Sequence, residues 1–197
     1  MSNAANEIDY SKYFWQNELV RLKSAQLEEH TEPGHFASLF DSQQRFFNEG
    51  EQELPWDEAK WKSVWENYVS SNRDASSWVL VTIETLDGVK VGGGNIHCID
   101  ERNGRFGLFL GVDPPYRGMG YEQAAGRLLL DYAFNERRLY ICCNFAYDGD
   151  DSDSGNKFYQ SLGFKKDGVL RARVFHQGRY WDEIHYSLTA EEFNAGK

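Results

Sequence analysis

The sequence predicts an α/β fold, one mixed sheet with helices on both faces. Three observations carry that prediction. Apolar runs rich in Val, Ile and aromatic residues recur along the chain, most clearly at Trp78-Val79-Leu80-Val81-Thr82-Ile83. Between them lie stretches with apolar residues three and four apart, so strands and helices alternate. Finally, an apolar run at residues 106–112 leads through Arg117-Gly118-Met119-Gly120-Tyr121 into an amphipathic run at 121–135. A glycine turn from strand to helix sets several backbone N–H groups at the positive end of the helix dipole, a ready seat for phosphate oxygens.

The elements follow in order. Residues 1–17 read as an N-terminal extension, in which Ser2-Asn3-Ala4 resembles a remnant of recombinant expression, and residues 18–197 as a single domain. Leu19-Val20-Arg21-Leu22 alternates and reads as a short strand. Residues 32–47 are predicted helical, with Pro33 tolerated in the first turn. A second helix is expected over 56–69, where Trp61, Val64, Trp65 and Tyr68 recur at helical spacing.

The strand at 77–84 ends in the hairpin signal Leu86-Asp87-Gly88, and 90–99 is its partner, with Gly92-Gly93-Gly94 suggesting a bulge or bend. The next strand, 106–112, is stopped by Pro114-Pro115, because proline cannot donate to a ladder. A strand that ends early beside a parallel neighbour leaves N–H and C=O groups that an amide-bearing ligand arm can pair with. Residues 139–147 form a further strand, 148–154 an acidic loop and 155–162 a short helix. Two strands at 164–175 and 179–188, joined by His176-Gln177-Gly178, complete the order β-α-α-β-β-β-α-β-α-β-β.

Composition narrows the function classes. At 41% hydrophobic and 15% aromatic residues, the 197-residue chain can bury a core. Its net charge of −10 argues against a nucleic-acid partner and would steer cationic ones such as amines. The three cysteines, Cys98 and the adjacent Cys142-Cys143, are odd in number and ill-placed to pair, which suits a reducing, cytoplasmic compartment. Alternation should bury one of the adjacent pair, a structural role. No window approaches the ~18 apolar residues of a membrane span. The aspartates of the acidic loop lack the spacing of a calcium-binding loop, so no metal site is expected.

Two motifs and a hairpin give the chain a family resemblance. Val112-Asp113-Pro114-Pro115-Tyr116-Arg117-Gly118-Met119-Gly120-Tyr121 resembles the acetyl-coenzyme A loop of the GCN5-related N-acetyltransferases (GNAT), Arg/Gln-x-x-Gly-x-Gly/Ala between a strand and a helix. Phe158-Tyr159-Gln160-Ser161-Leu162-Gly163-Phe164 resembles that family's Leu-Tyr-x-x-Leu-Gly-Phe signature. Leu170-Arg171 and residues 174–183 are similar to the C-terminal hairpin of the branch that acetylates polyamines and ribosomal-protein N-termini. The resemblance covers roughly residues 18–189.

It implies a mostly antiparallel GNAT sheet and acetyl-coenzyme A as acetyl donor. A small amine or a peptide N-terminus would be the acceptor, attacking directly in a ternary complex. Backbone groups of Leu110, Gly111 and Val112 would hold the pantetheine arm, and Arg117, Gly118, Met119, Gly120 and Tyr121 would wrap the pyrophosphate. Ser152 and Asn156 would add further cofactor contacts. Tyr159 would protonate the departing thiolate, since a phenol of pKa ~10 is a reasonable donor to a thiolate of pKa ~8.5. Relatives often form homodimers.

The chain departs from the pattern in three places. Glu122 stands where the loop normally ends in Gly or Ala, a repulsive neighbour for pyrophosphate. Gly107 stands where many relatives carry a glutamate base, leaving Glu84, His97, Asp100 and Glu101 as open candidates. For the asparagine that precedes the family's tyrosine helix, Asn144 lies too early and Ser152 aligns best. Glu122 and Gly107 keep a second reading open, a non-catalytic acyl-coenzyme A-binding or regulatory module. A Rossmann nucleotide fold fails, because the glycine turn follows several strands and no acidic residue closes a neighbouring strand.

Overall fold

The computed structural model describes residues 15–31, 57–71, 78–148, 153–176 and 178–196. Within them, seven strands form one sheet: β1 (Val20–Ser24), β2 (Val79–Thr85), β3 (Lys90–Asp100), β4 (Arg105–Val112), β5 (Ile141–Tyr147), β6 (Lys165–His176) and β7 (Arg179–Thr189). Their spatial order is β1-β2-β3-β4-β5-β7-β6, and only β4 and β5 run parallel. The described helices are α1 (Leu27–His30), α2 (Glu58–Ser71), α3 (Tyr121–Asp131), α4 (Asp153–Ser161) and α5 (Ala190–Ala195).

Register assigns the two faces of the sheet. Gly94 pairs with Leu110 and Ile96 with Leu108, so all four point the same way. Leu110 meets α3, where a Cβ on Gly126 would lie 3.2 Å from the Leu110 side chain and 2.9 Å from Leu162 just beyond α4. This face holds the core: Ile83, Ile96, Leu108, Leu129, Leu130 and Leu188 are fully buried. Each such side chain contributes ~2 kcal/mol by leaving water. On the opposite face the Thr82 hydroxyl donates to Glu29 of α1, with α2 alongside α1. Helices thus cover both faces of a mostly antiparallel sheet.

Several local expectations need correction. The bulge expected at Gly92-Gly93-Gly94 falls one residue earlier. The register shift against β2 skips Val91, just before them, and a second shift against β4 falls after His97. The glycines instead allow close approach, since a Cβ on Gly92 would sit 2.2 Å from the Gly111 carbonyl and one on Gly94 2.3 Å from Leu110. The helix expected over 121–135 is α-helical only to Asp131, after which residues 132–136 form a π turn. That wider turn brings Tyr132 against Trp15 and Phe134 between Phe106 and Phe193. The short helices α1 and α5 were not expected. The helix predicted over 32–47 lies outside the described residues, as do residues 149–152 of the acidic loop. No helix among the described residues is long and apolar enough to cross a membrane.

Candidate active site

The glycine turn is held in a conformation that ordinary residues resist. Gly118 has φ 76° and Gly120, the residue capping α3, φ 84°. A Cβ at Gly118 would meet nothing within 4 Å, and one at Gly120 only Leu19 at 3.5 Å, so backbone conformation rather than space requires glycine at both. Pro114-Pro115-Tyr116 forms a single 3-10 turn after β4. Arg117 then ties the loop back, its Nε donating to the Val112 carbonyl at 3.1 Å. Met119 is exposed and Tyr121 packs against the core. Turn and helix start together offer backbone N–H groups to an anion.

Glu122 belongs to this first turn but is half-buried, and its carboxyl is pushed up to about 7 by burial, opposed by the Arg117 charge. Near neutral pH it therefore carries about half a negative charge, which softens the repulsion its position suggested.

Beside the loop the sheet opens. β4 and β5 pair only at Arg105–Ile141 and Phe106–Cys142, then separate. Asn144 bridges the start of the gap: its Oδ1 accepts from the Leu108 N–H at 2.9 Å and its Nδ2 donates to the Leu108 carbonyl. With both backbone groups of Leu108 turned toward β5, the alternation of a strand turns those of Leu110 and Val112 the same way. Gly111, between them, has its backbone groups turned toward β3 by the same alternation, as has Asp113, whose N–H donates to the Val91 carbonyl at 2.8 Å. An extended amide chain laid along this edge could bond to residues 110 and 112, with the Val112 carbonyl already shared with Arg117.

Asn144 also reaches the predicted acid. Its Nδ2 donates to the Tyr159 hydroxyl oxygen at 2.9 Å. The Leu108 contacts fix the orientation of the amide, because the reversed arrangement would set N–H against N–H and oxygen against oxygen. Tyr159 thus accepts from Asn144 and keeps its own O–H proton for another acceptor. Burial raises its pKa well above the usual phenol range, with the Cys142 thiol and Glu122 adding to the shift and Asn144 opposing it. The ring is held by Phe164 at 5.2 Å and stacked on Tyr186 at 5.6 Å.

The remaining expected residues separate. Asn156 is buried and its Oδ1 accepts from the Tyr186 hydroxyl at 2.9 Å, so that oxygen is used in holding α4 to β7. Ser152 lies outside the described residues. Asn144, set aside in the sequence as too early, is the asparagine found at Tyr159. A signal for it was present, since Cys142, Asn144 and Ala146 share the buried register of β5 and a polar residue there needs partners. Cys142 is fully buried and Cys143 exposed, as alternation requires. Among the described residues no group of three or more His, Cys, Asp or Glu could hold a metal.

Comparison with known proteins agrees with this architecture. The chain is 34% identical over 94 residues to the SPbeta prophage-derived uncharacterized N-acetyltransferase YokL of Bacillus subtilis, covering 48% of this chain and 52% of that protein. It is 26% identical over 109 residues to spermidine N(1)-acetyltransferase of Escherichia coli K12, covering 55% and 58%. The chain thus spans only about half the length of these curated relatives. In fold it is similar to the crystal structure of spermidine N-acetyltransferase from Vibrio cholerae in complex with CoA and spermine, with TM-score 0.70 and 15% identity over 90% of this chain and 99% of that one. The strand, glycine turn and helix, the opening between β4 and β5, and the tyrosine helix all lie within or beside residues 36–164, which match the model of the acetyltransferase (GNAT) family, and the chain belongs to that family.

Proposed function

We propose that the protein is an acetyl-coenzyme A-dependent N-acetyltransferase acting on a primary amine by direct attack in a ternary complex. The observation that carries this reading is Tyr159, donor free and pinned by Asn144 at the point where β4 and β5 part. Acetyl-coenzyme A would supply the activated acetyl group. The Leu110 and Val112 backbone would hold its amide arm, and the N–H groups of residues 117–121 its pyrophosphate. Gly118 and Gly120 suit that task, because their positive φ turns successive N–H groups toward one concavity.

Tyr159 would act on the leaving sulfur. Its raised pKa keeps the phenol protonated at any working pH, so an O–H donor is always present. The same burial raises the pKa of a thiol held beside it, as it does for Cys142, which keeps donor and acceptor matched. For the acceptor, the net charge of −10 favours cations, and relatives named for spermidine and for ribosomal N-acetylation, each 26% identical, keep polyamines and protein N-termini together as the classes to test. The test is thiol release from acetyl-coenzyme A over a panel of polyamines, peptides and small amines. Release with at least one amine is expected. Tight acetyl-coenzyme A binding without release to any would favour the module reading, which Gly107 still motivates and Glu122 now motivates less.

A further inference from the structure

Four side chains could remove the acceptor's proton, Glu84 by the β2–β3 hairpin and His97, Asp100 and Glu101 at the far end of β3, and their surroundings separate them. Glu84 is held by Arg21 at 2.6 Å and Lys23 at 3.0 Å. Asp100 accepts from Asn103 and Arg105, which hold its carboxyl below the ordinary range. Glu101 pairs with Arg137 at 2.7 Å and is largely exposed. His97 differs from all three, because no carboxylate partner engages it among the described residues and the glycine opposite it on β4 has no side chain.

His97 pairs across the sheet with Gly107, so both point to the face opposite α3. Its ring fills the space that a side chain at 107 would take. A Cβ on Gly107 would lie 2.3 Å from His97 Nε2 and 2.8 Å from each adjoining ring carbon. The ring therefore lies across β4 one residue before Leu108, whose backbone marks the start of the gap. Its Nδ1 is 2.9 Å from the Asn95 Oδ1. With the Asn95 amide oxygen as acceptor, the tautomer that suits this contact carries its proton on Nδ1 and keeps the lone pair of Nε2. Trp78 flanks the ring at 5.6 Å.

We propose that His97 is the general base of the acetyl transfer, its Nε2 taking the proton of the acceptor amine beside the β4–β5 gap. The proposal rests on the acetyl-transfer reading above. In balance, Nε2 takes one proton from the ammonium and leaves a neutral amine. The amine lone pair forms the N–C bond as the C–S bond breaks, and the second N–H proton passes to solvent. The sulfur keeps the bonding pair and takes the Tyr159 proton, which solvent restores. The products are an acetamide, free coenzyme A thiol and, once His97 and Tyr159 are restored, one net proton. Burial lowers the His97 pKa, so the ring is neutral and ready to accept at neutral pH. On its own strand the nearest carboxylate, Asp100, is tied to Asn103 and Arg105, on β4 the residue opposite is Gly107, and just before β2 the uncharged Trp78 lies beside the ring.

His97→Ala should lower kcat by roughly 10²-fold at pH 7, the usual worth of a positioned base, with acetyl-coenzyme A affinity unchanged by calorimetry. The deficit should narrow as pH rises and free amine becomes abundant. Adding Gly107→Glu to His97→Ala puts a carboxylate where the ring was and should recover at least tenfold. A kcat within twofold of wild type across pH 6–9, or a loss without pH dependence and without rescue, would overturn the assignment. Imidazole ¹⁵N shifts give a readout apart from turnover: Nε2 must be the unprotonated nitrogen at pH 7 with acetyl-coenzyme A bound. A protonated Nε2 there would sink the proposal, whereas an unprotonated Nε2 in a protein that acetylates no amine would refute the transferase reading instead.

Discussion

Asn144 does three jobs with one side chain: it satisfies both backbone groups of Leu108 and donates to Tyr159. Replacing it with alanine strands buried polar groups at an estimated ~1–3 kcal/mol and frees the phenol to turn. Asn144→Ala should therefore lose both stability in urea and most of its kcat. Asn144→Asp should do no better, since an acceptor-only side chain cannot donate to Tyr159. Glu122 acts at the same scale through charge. Its carboxyl ionises with a pKa of about 7, so repulsion toward a bound pyrophosphate grows as pH rises through neutrality. The affinity for acetyl-coenzyme A should fall between pH 6 and 8 in the wild type and stay flatter in Glu122→Gln, as measured by calorimetry.

At the scale of elements, the glycine turn and α3 form the most informative unit, and they were legible because two glycines and two prolines punctuate the chain there. Gly120→Ala puts a Cβ into ordinary contact with Leu19 but asks an alanine to hold φ 84°. It should cost ~1–2 kcal/mol of stability and weaken acetyl-coenzyme A binding more than that strain alone, because the capping N–H groups shift. What stayed hidden in the sequence has physical reasons. The π turn after Asp131 goes with aromatic packing between distant residues, Trp15 with Tyr132 and Phe193 with Phe134, which no local period encodes. Asn144 was missed because its partners lie 36 and 15 residues away. The unexpected α5 differs, because Thr189 and Glu192 form a capping box whose spacing is a local signal in the sequence.

For the whole molecule, two buried titrations oppose each other. The native pKa of Glu122 is raised from 4.5 to about 7, so the native state binds its proton more tightly and stability falls as pH rises from about 4.5 through 7. That of His97 is lowered from 6.5, so its contribution is present above 6.5 and is lost as pH drops through the native value. Glu122→Gln should raise Tm at pH 8 by ~2–4 °C and leave it unchanged at pH 4, while His97→Gln should raise it only below pH 6. The sheet as a whole was legible in the sequence, including the place where β4 stops. The chemistry inside the gap was legible only in part, because it depends on which side chains of β3 and β5 lean across β4.

The most direct test of the central claim is thiol release by Tyr159→Phe, compared with the wild type at saturating acetyl-coenzyme A and polyamine. The ring and its packing survive, and only the O–H donor is lost. A fall in kcat of ~10²-fold or more is expected, with acetyl-coenzyme A affinity intact. A Tyr159→Phe protein turning over at the wild-type rate would contradict it.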